Sequence, residues 1–194
     1  MMNRKYFIAL VVCFCLFLGN STIRAQKVAL KANVLNYATA SLNLEPEVAV
    51  GRKSTLALGV TYNPWTFSDN MKWRHLRVQP EYRYWLCRPF GGHFLGLHAS
   101  YTRFNVGNVS LPFDWFSVLK DSRVQGNEWA VGVGYGYHWI LSSHWSMEAE
   151  VGVGYSHADF DRYECQKCGD RLDTRHTNRF LPTKLALSFI YVIR

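Results

Sequence analysis

The densest reactive chemistry in this chain lies in one polar stretch near its C-terminus. Cys165-Gln166-Lys167-Cys168-Gly169 sets two thiols three positions apart with a glycine behind them, which is half of a tetrahedral zinc knuckle. His157 and His176 fall in the same segment and would supply the other two ligands. The same spacing also suits a small disulfide, a pair of free thiols or a redox centre. The charges around it, Asp159, Asp161, Arg162, Glu164, Lys167, Asp170, Arg171, Asp173 and Arg175, balance one another. They read as a solvated, self-paired loop or as a recognition surface.

A second group is His98 and Ser100, two apart and therefore on one face of a strand, with Glu128 as an acid that strand pairing would bring beside them. A serine hydrolase needs its base within hydrogen-bond reach and an acid to orient that base. The pair resembles the His/Ser arrangement of outer-membrane lipid A deacylases. A lipid substrate, however, arrives from the bilayer, whereas alternation turns His98 and Ser100 to the inside. Interior polar packing is the favoured reading.

The elements that carry these residues are strands. From Glu128 to Tyr155 the chain reads as a membrane-type hairpin. Trp129, Val131, Val133, Tyr135, Tyr137 and Trp139 alternate with small, acidic or imidazole residues, and after Ser142-Ser143-His144 the pattern restarts at Trp145 and runs to Tyr155. Alternation over about ten residues with aromatics at both ends is what a tilted bilayer-crossing strand requires. The same period appears in Lys27–Asn36, Ser41–Val50, Thr55–Asn63, Trp73–Leu86, His93–Phe104 and Phe180–Ile193. Pro46 on the second strand removes a ladder donor and predicts a weakly paired spot. Eight strands result. Short links follow the even ones, and the segments Asn105–Asn127 and Ser156–Asn178 follow the fifth and seventh, with a helical turn expected over Phe113–Leu119. The expected fold is all-β: an eight-stranded antiparallel up-and-down transmembrane barrel of the outer-membrane type.

An eight-stranded barrel leaves room inside only for side chains. Its inward positions are predicted to carry Glu45, Glu47, Glu81, Glu128, Glu148 and Glu150 against Lys31, Arg77, Arg83 and Lys184, with His75, His98 and His138 nearby. Unpaired charge there costs several kcal/mol, so a salt-bridge network that plugs the lumen is expected rather than a conducting pore. Outward aromatics form two belts, Tyr62, Tyr101, Trp129 and Tyr155 at the loop ends and Tyr84, Trp139, Trp145 and Tyr191 at the turn ends.

Residues 1–25 read as a cleaved signal peptide, with Arg4 and Lys5, an apolar run from Tyr6 to Leu18, and Ala25 as the last residue removed. Cys13 and Cys15 leave with it. Its loss takes Arg4, Lys5 and Arg24 and no acid, lowering the formal charge from +8 to +5. With no Lys/Arg-rich run, nucleic acid is excluded as a partner. The outer membrane is the expected location, and its lipids the expected surroundings.

The residues also resemble the family known as the domain of unknown function 3575. The matching pieces are Gly51-Arg52-Lys53, Tyr62-Asn63-Pro64-Trp65, Gln79-Pro80-Glu81, Arg83-Tyr84-Trp85-Leu86-Cys87, Gly92-His93-Phe94, Gly96-Leu97-His98, Tyr135-Gly136-Tyr137, Trp139-Ile140-Leu141, Gly152-Val153-Gly154-Tyr155, Tyr163 with Cys165, Cys168 and Gly169, and Pro182-Thr183-Lys184. The resemblance implies a small exported barrel of Gram-negative gut-type bacteria with no assigned activity. Some members accompany fimbrial or surface-adhesion systems, which implies an envelope or fimbrial protein as partner. The expected function is non-enzymatic: a structural or surface-interaction role through the two long loops. A lipid-modifying enzyme using His98, Ser100 and Glu128, or a metal- or redox-responsive surface using Cys165 and Cys168, is the alternative.

Overall fold

Strict alternation of side-chain type forces each strand to show one face to a polar interior and the other outward, and closing the sheet satisfies every edge. The computed structural model describes residues 27–66, 72–107, 123–163 and 171–193. It contains β1 Val28–Asn33, β2 Leu42–Ala49, β3 Ser54–Asn63, β4 Lys72–Trp85, β5 Gly92–Gly107, β6 Arg123–Ile140, β7 Trp145–Tyr163 and β8 Arg171–Ile193, with one short helix, α1, at Val34–Ala38. Each strand pairs antiparallel with its neighbour in sequence, and β8 returns to β1 from Val28↔Ile193 to Asn33↔Ser188, so the sheet is a closed up-and-down barrel.

Both ends of the described chain lie at the end closed by the links 50–53, 86–91 and 141–144, the turn end; the other is the loop end. The strands lengthen along the chain, from 6 residues in β1 to 23 in β8. Since their turn ends are tied by tight links, the loop end rises from β1 towards the β7–β8 hairpin.

Two departures from the sequence reading have local causes. The first strand stops at Asn33, not Asn36, because the Asn33 side chain accepts the Leu35 N–H and caps α1. The two segments expected as long loops are strand at their margins: β5 and β6 stay paired to Gly107↔Arg123, and β7 and β8 to Tyr163↔Arg171. Above the barrel both faces of the hairpin meet solvent, so charged pairs such as Arg162↔Asp173 replace apolar alternation and remove the signal. The β2–β3 ladder skips Glu45 and Pro46, as the proline requires. The expected helical turn over Phe113–Leu119 and the segment 1–25 lie outside the described residues.

The large apolar residues point outward. Leu97, Val133, Val151 and Leu185 are all more than half exposed. The buried apolar cluster is small and sits at the turn end: Ala29, Trp85, Phe90, Phe94, Ile190 and Val192. Phe90 reaches it through a left-handed backbone (φ 59°) in the β4–β5 link, and Gly92 with φ 79° completes that reversal.

Candidate functional site

One strand organises the interior. The inner face of β4 presents, from loop end to turn end, Trp73, His75, Arg77, Gln79, Glu81, Arg83 and Trp85. At the turn end Trp85 packs on Phe94 (4.8 Å between ring centroids) and Phe90 (5.9 Å), and its indole donates to Thr55 Oγ1 at 2.9 Å. Thr55 in turn donates to Glu47. Arg83 stacks over Phe94 at 4.7 Å, joining this plug to the charges above it.

Arg83 is the centre of those charges. Nε meets Glu81 Oε1 at 2.7 Å; Nη1 meets Glu47 Oε2 and Glu148 Oε1, both at 2.9 Å; Nη2 meets Glu45 Oε1 at 3.0 Å and Glu150 Oε2 at 2.7 Å. A guanidinium has five N–H donors, and here each has a different glutamate. Lys31 bridges Glu47 and Glu148, and Lys184 bridges Glu81 and Glu150 with Glu45 at 3.5 Å. His138 Nδ1 lies 3.2 Å from Glu148 Oε2. Eight of the ten expected interior charges therefore form one network.

Backbone features make room for it. Thr183 is the extra residue of a bulge between Val153↔Pro182 and Gly152↔Lys184, so Thr183 and Lys184 both turn inward. On β6 a methyl group at Gly134 would stand 2.7 Å from Glu150 Oε1. Glycine at that rung is what lets the carboxylate lie against the barrel wall.

The other two expected charges stand apart, nearer the loop end. Arg77 Nη2 donates to Ser100 Oγ (3.2 Å) and to the Thr183 carbonyl (3.0 Å), and Glu128 accepts from Ser156. Between them and the network lies a cavity of about 280 Å³ whose wall includes Trp73, His75, Gln79, Thr102 and Phe104.

His98, Ser100 and Glu128 all face inward but do not form a relay. His98 Nε2 is bonded to Thr183 Oγ1 at 2.7 Å, Ser100 receives Arg77, and Glu128 holds Ser156. The serine has no imidazole in hydrogen-bond reach.

His157 and His176 do converge, on Asp159: His157 Nε2 is 3.1 Å from Asp159 Oδ1, and His176 Nδ1 bonds the same oxygen. Cys165 and Cys168 lie outside the described residues. The hairpin carries its paired end, Tyr163↔Arg171, six residues beyond His157, roughly 20 Å. Two other groups bring possible metal-ligating atoms within 4.8 Å of one another, His157–Asp159–His176 at the rim and Glu81–His98–Glu150 inside. Cys87 is exposed in the β4–β5 link.

Comparison with known proteins agrees with the resemblance in the residues. The family model described as "Protein of unknown function (DUF3575)" matches residues 11–193. The chain belongs to that family. No curated protein and no solved structure matches. The DUF3575 family supplies no activity, so the reading of function rests on the barrel itself. Sequence reasoning missed Asp159 as the partner of both histidines, because the strands that align them carry no apolar alternation. It also missed Thr183, because a bulge position has no signature in period-2 patterning.

Proposed function

We propose that this member of the DUF3575 family is an outer-membrane barrel with a structural or surface-interaction role, exercised at its loop end and without catalysis. The observation that carries the reading is the outward face. Leucine, valine and aromatic side chains cover it in a continuous band, with Tyr62, Tyr101, Trp129 and Tyr155 along one edge and Tyr84, Trp139, Trp145 and Tyr191 along the other, all exposed. Trp129 and Trp139 stand ten residues apart on β6, as do Trp145 and Tyr155 on β7. At about 3.3 Å per residue and a tilt of roughly 40°, the belts are about 25 Å apart, the height of an outer-membrane apolar band. A water-exposed band of this kind would be an aggregation surface.

The interior argues for a plug rather than a channel. The side chains of Arg83, Lys31 and the four glutamates Glu47, Glu81, Glu148 and Glu150 are almost wholly buried and bonded across the lumen. With conduction unsupported and Ser100 without a base, the parts left to act are those above the belts: the β7–β8 hairpin with its charged faces, and the segment between β5 and β6. They fit a protein partner in the cell envelope.

The test is fractionation followed by bilayer recording. The protein is expected in the outer-membrane fraction, with heat-modifiable mobility on gels and no steady conductance. Recovery in a detergent-free soluble extract would overturn the membrane reading, and a stable conductance step the plugged one. Shortening the β7–β8 hairpin above His157 should leave the barrel folded and abolish partner capture in cells. Unchanged capture would remove the hairpin from the proposal.

A further inference from the structure

Three buried donors without partners surround one cavity. Arg77 Nε, Gln79 Nε2 and Thr102 Oγ1 form no hydrogen bond, and all three residues line the cavity of about 280 Å³ above the charge network. Buried polar atoms are seldom left unpaired, and each such donor costs free energy unless something accepts from it. Three around one space mark a place where an acceptor belongs.

The charge distribution sharpens the requirement. Arg83 shares five carboxylates, whereas Arg77 forms no ion pair with any described residue and bonds only a hydroxyl and a carbonyl. The two carboxylates on the cavity wall are engaged elsewhere, Glu45 by Arg83 and Lys184, and Glu128 by Ser156. Glu128 attracts Arg77 only from beyond ion-pair range, so an incoming anion can take the direct contact that Arg77 Nε leaves open. Glu45 and Glu128 would repel a second negative charge, which limits the ligand to a monoanion. The remaining wall is mixed: Asn33, Asn43, Thr61 and Lys184 line it, and the Trp73 and Phe104 rings give it an apolar part towards the loop end. The volume is at the small end of ligand sites.

We propose that the outer half of the barrel binds a small organic carboxylate carrying one ring. The carboxylate accepts from Arg77 Nε, the Gln79 amide and the Thr102 hydroxyl, and the ring lies against Trp73 and Phe104. An arginine Nε–H with a carboxylate is a charge-assisted contact, the strongest kind open to these groups. This assignment is independent of the envelope role: it needs the folded barrel, and neither the loops nor a protein partner.

The test uses the full mature chain folded in a non-ionic detergent, ¹⁵N-labelled at arginine, with benzoate as probe and benzamide as its uncharged counterpart. The Arg77 Nε–H resonance, identified by its loss in Arg77→Gln, is expected to shift saturably with benzoate. The Arg83 resonance should stay in place. Benzamide should bind about ten- to a hundred-fold more weakly, and Arg77→Gln should weaken benzoate by a similar factor in calorimetry. Heat-modifiable mobility checks that the variant folds. If it does not, Gln79→Leu combined with Thr102→Val replaces it, with a loss of several-fold expected. No saturable shift would leave the donors to water and overturn the proposal. So would equal binding of benzamide, or an affinity indifferent to these substitutions.

Discussion

The two halves of the barrel interior are built from the same residue types and solve opposite problems. Towards the turn end, Arg83, Lys31 and Lys184 face five glutamates, every guanidinium donor of Arg83 has its own carboxylate, and the space below is filled by Trp85, Phe90 and Phe94. Towards the loop end, Arg77 forms no ion pair with a described residue, with Glu128 at longer range, three buried donors have no partner, and a cavity remains. Burying charge is tolerable only when it is paired and hydrogen-bonded. In the lower half every charge has an opposite partner, with Glu150 Oε1 and His138 Nε2 the atoms left without a hydrogen bond, and so it can serve as a scaffold. In the upper half Arg77 forms no ion pair with a described residue and its Nε faces a cavity; a site of that kind needs the rigid support that the paired layer below it supplies.

The strongest way to break this contrast is to exchange the fates of the two arginines. Arg83→Met leaves Glu45, Glu47, Glu81, Glu148 and Glu150 crowded around Lys31 and Lys184. Removing one member of a buried ion network costs about 3–5 kcal/mol, and here five pairs lose it together. The variant is expected to fail to fold, read as loss of heat-modifiable mobility. Arg77→Met should still fold, with a smaller drop in its urea midpoint, since it forfeits two hydrogen bonds to neutral groups and the longer-range attraction of Glu128. If Arg77→Met is the more damaging of the two, the division into scaffold and site is wrong.

Next in size is the aromatic floor. Trp85→Ala removes the ring on which Phe90, Phe94 and His138 rest, and leaves Thr55 without its indole donor. A loss of about 3–5 kcal/mol is expected from the cavity alone, measured as a shift in the urea midpoint. A smaller effect separates the halves by their free space. Gly134→Ala sets a methyl group against Glu150 Oε1 and should cost about 1–3 kcal/mol through displacement in a packed layer. Thr102→Val replaces an unbonded buried hydroxyl by a methyl group and should be neutral or slightly stabilising. Equal penalties for the two would show that the upper half is as filled as the lower.

Most of this frame was legible in the sequence, for a physical reason. In a barrel the period-2 rule assigns each residue to lumen or exterior without knowledge of its partners. The eight strands, the two belts and the inward set from Lys31 to Lys184 all follow from that rule. Asn33 reads as an ordinary strand residue because capping depends on a side chain meeting the backbone two residues on, which alternation does not report. Within the segment Ser156–Asn178, expected as loop, the strand tops His157–Tyr163 and Leu172–Asn178 carry no strand signal because both their faces are solvated. The pairing of residues across the lumen was out of reach for another reason. Arg83 and Glu150 are brought together by the curvature of the closed sheet, and curvature leaves no trace in the spacing of one strand.

The rim gives the smallest effect and a third environment, where charge is exposed rather than buried. His176 bonds the Asp159 carboxylate and, with further help from the charge and hydrogen bond of His157, holds it below the usual aspartate range. A depressed carboxylate stabilises the paired state above its ordinary titration range, and that contribution is lost as pH falls through the depressed value. Amide protection on the upper rungs, Ser156↔Arg179 to Asp161↔Thr174, should therefore fall below about pH 4. The rungs between Trp145↔Tyr191 and Val151↔Leu185 should keep their protection over the same range. Asp159→Asn should abolish the step, since no carboxylate remains to titrate. Because these side chains are open to solvent, salt should shrink the effect. If protection on the upper rungs falls equally in the Asn variant, Asp161 or Asp173 carries the pH dependence and the His157–Asp159–His176 group is only a surface contact.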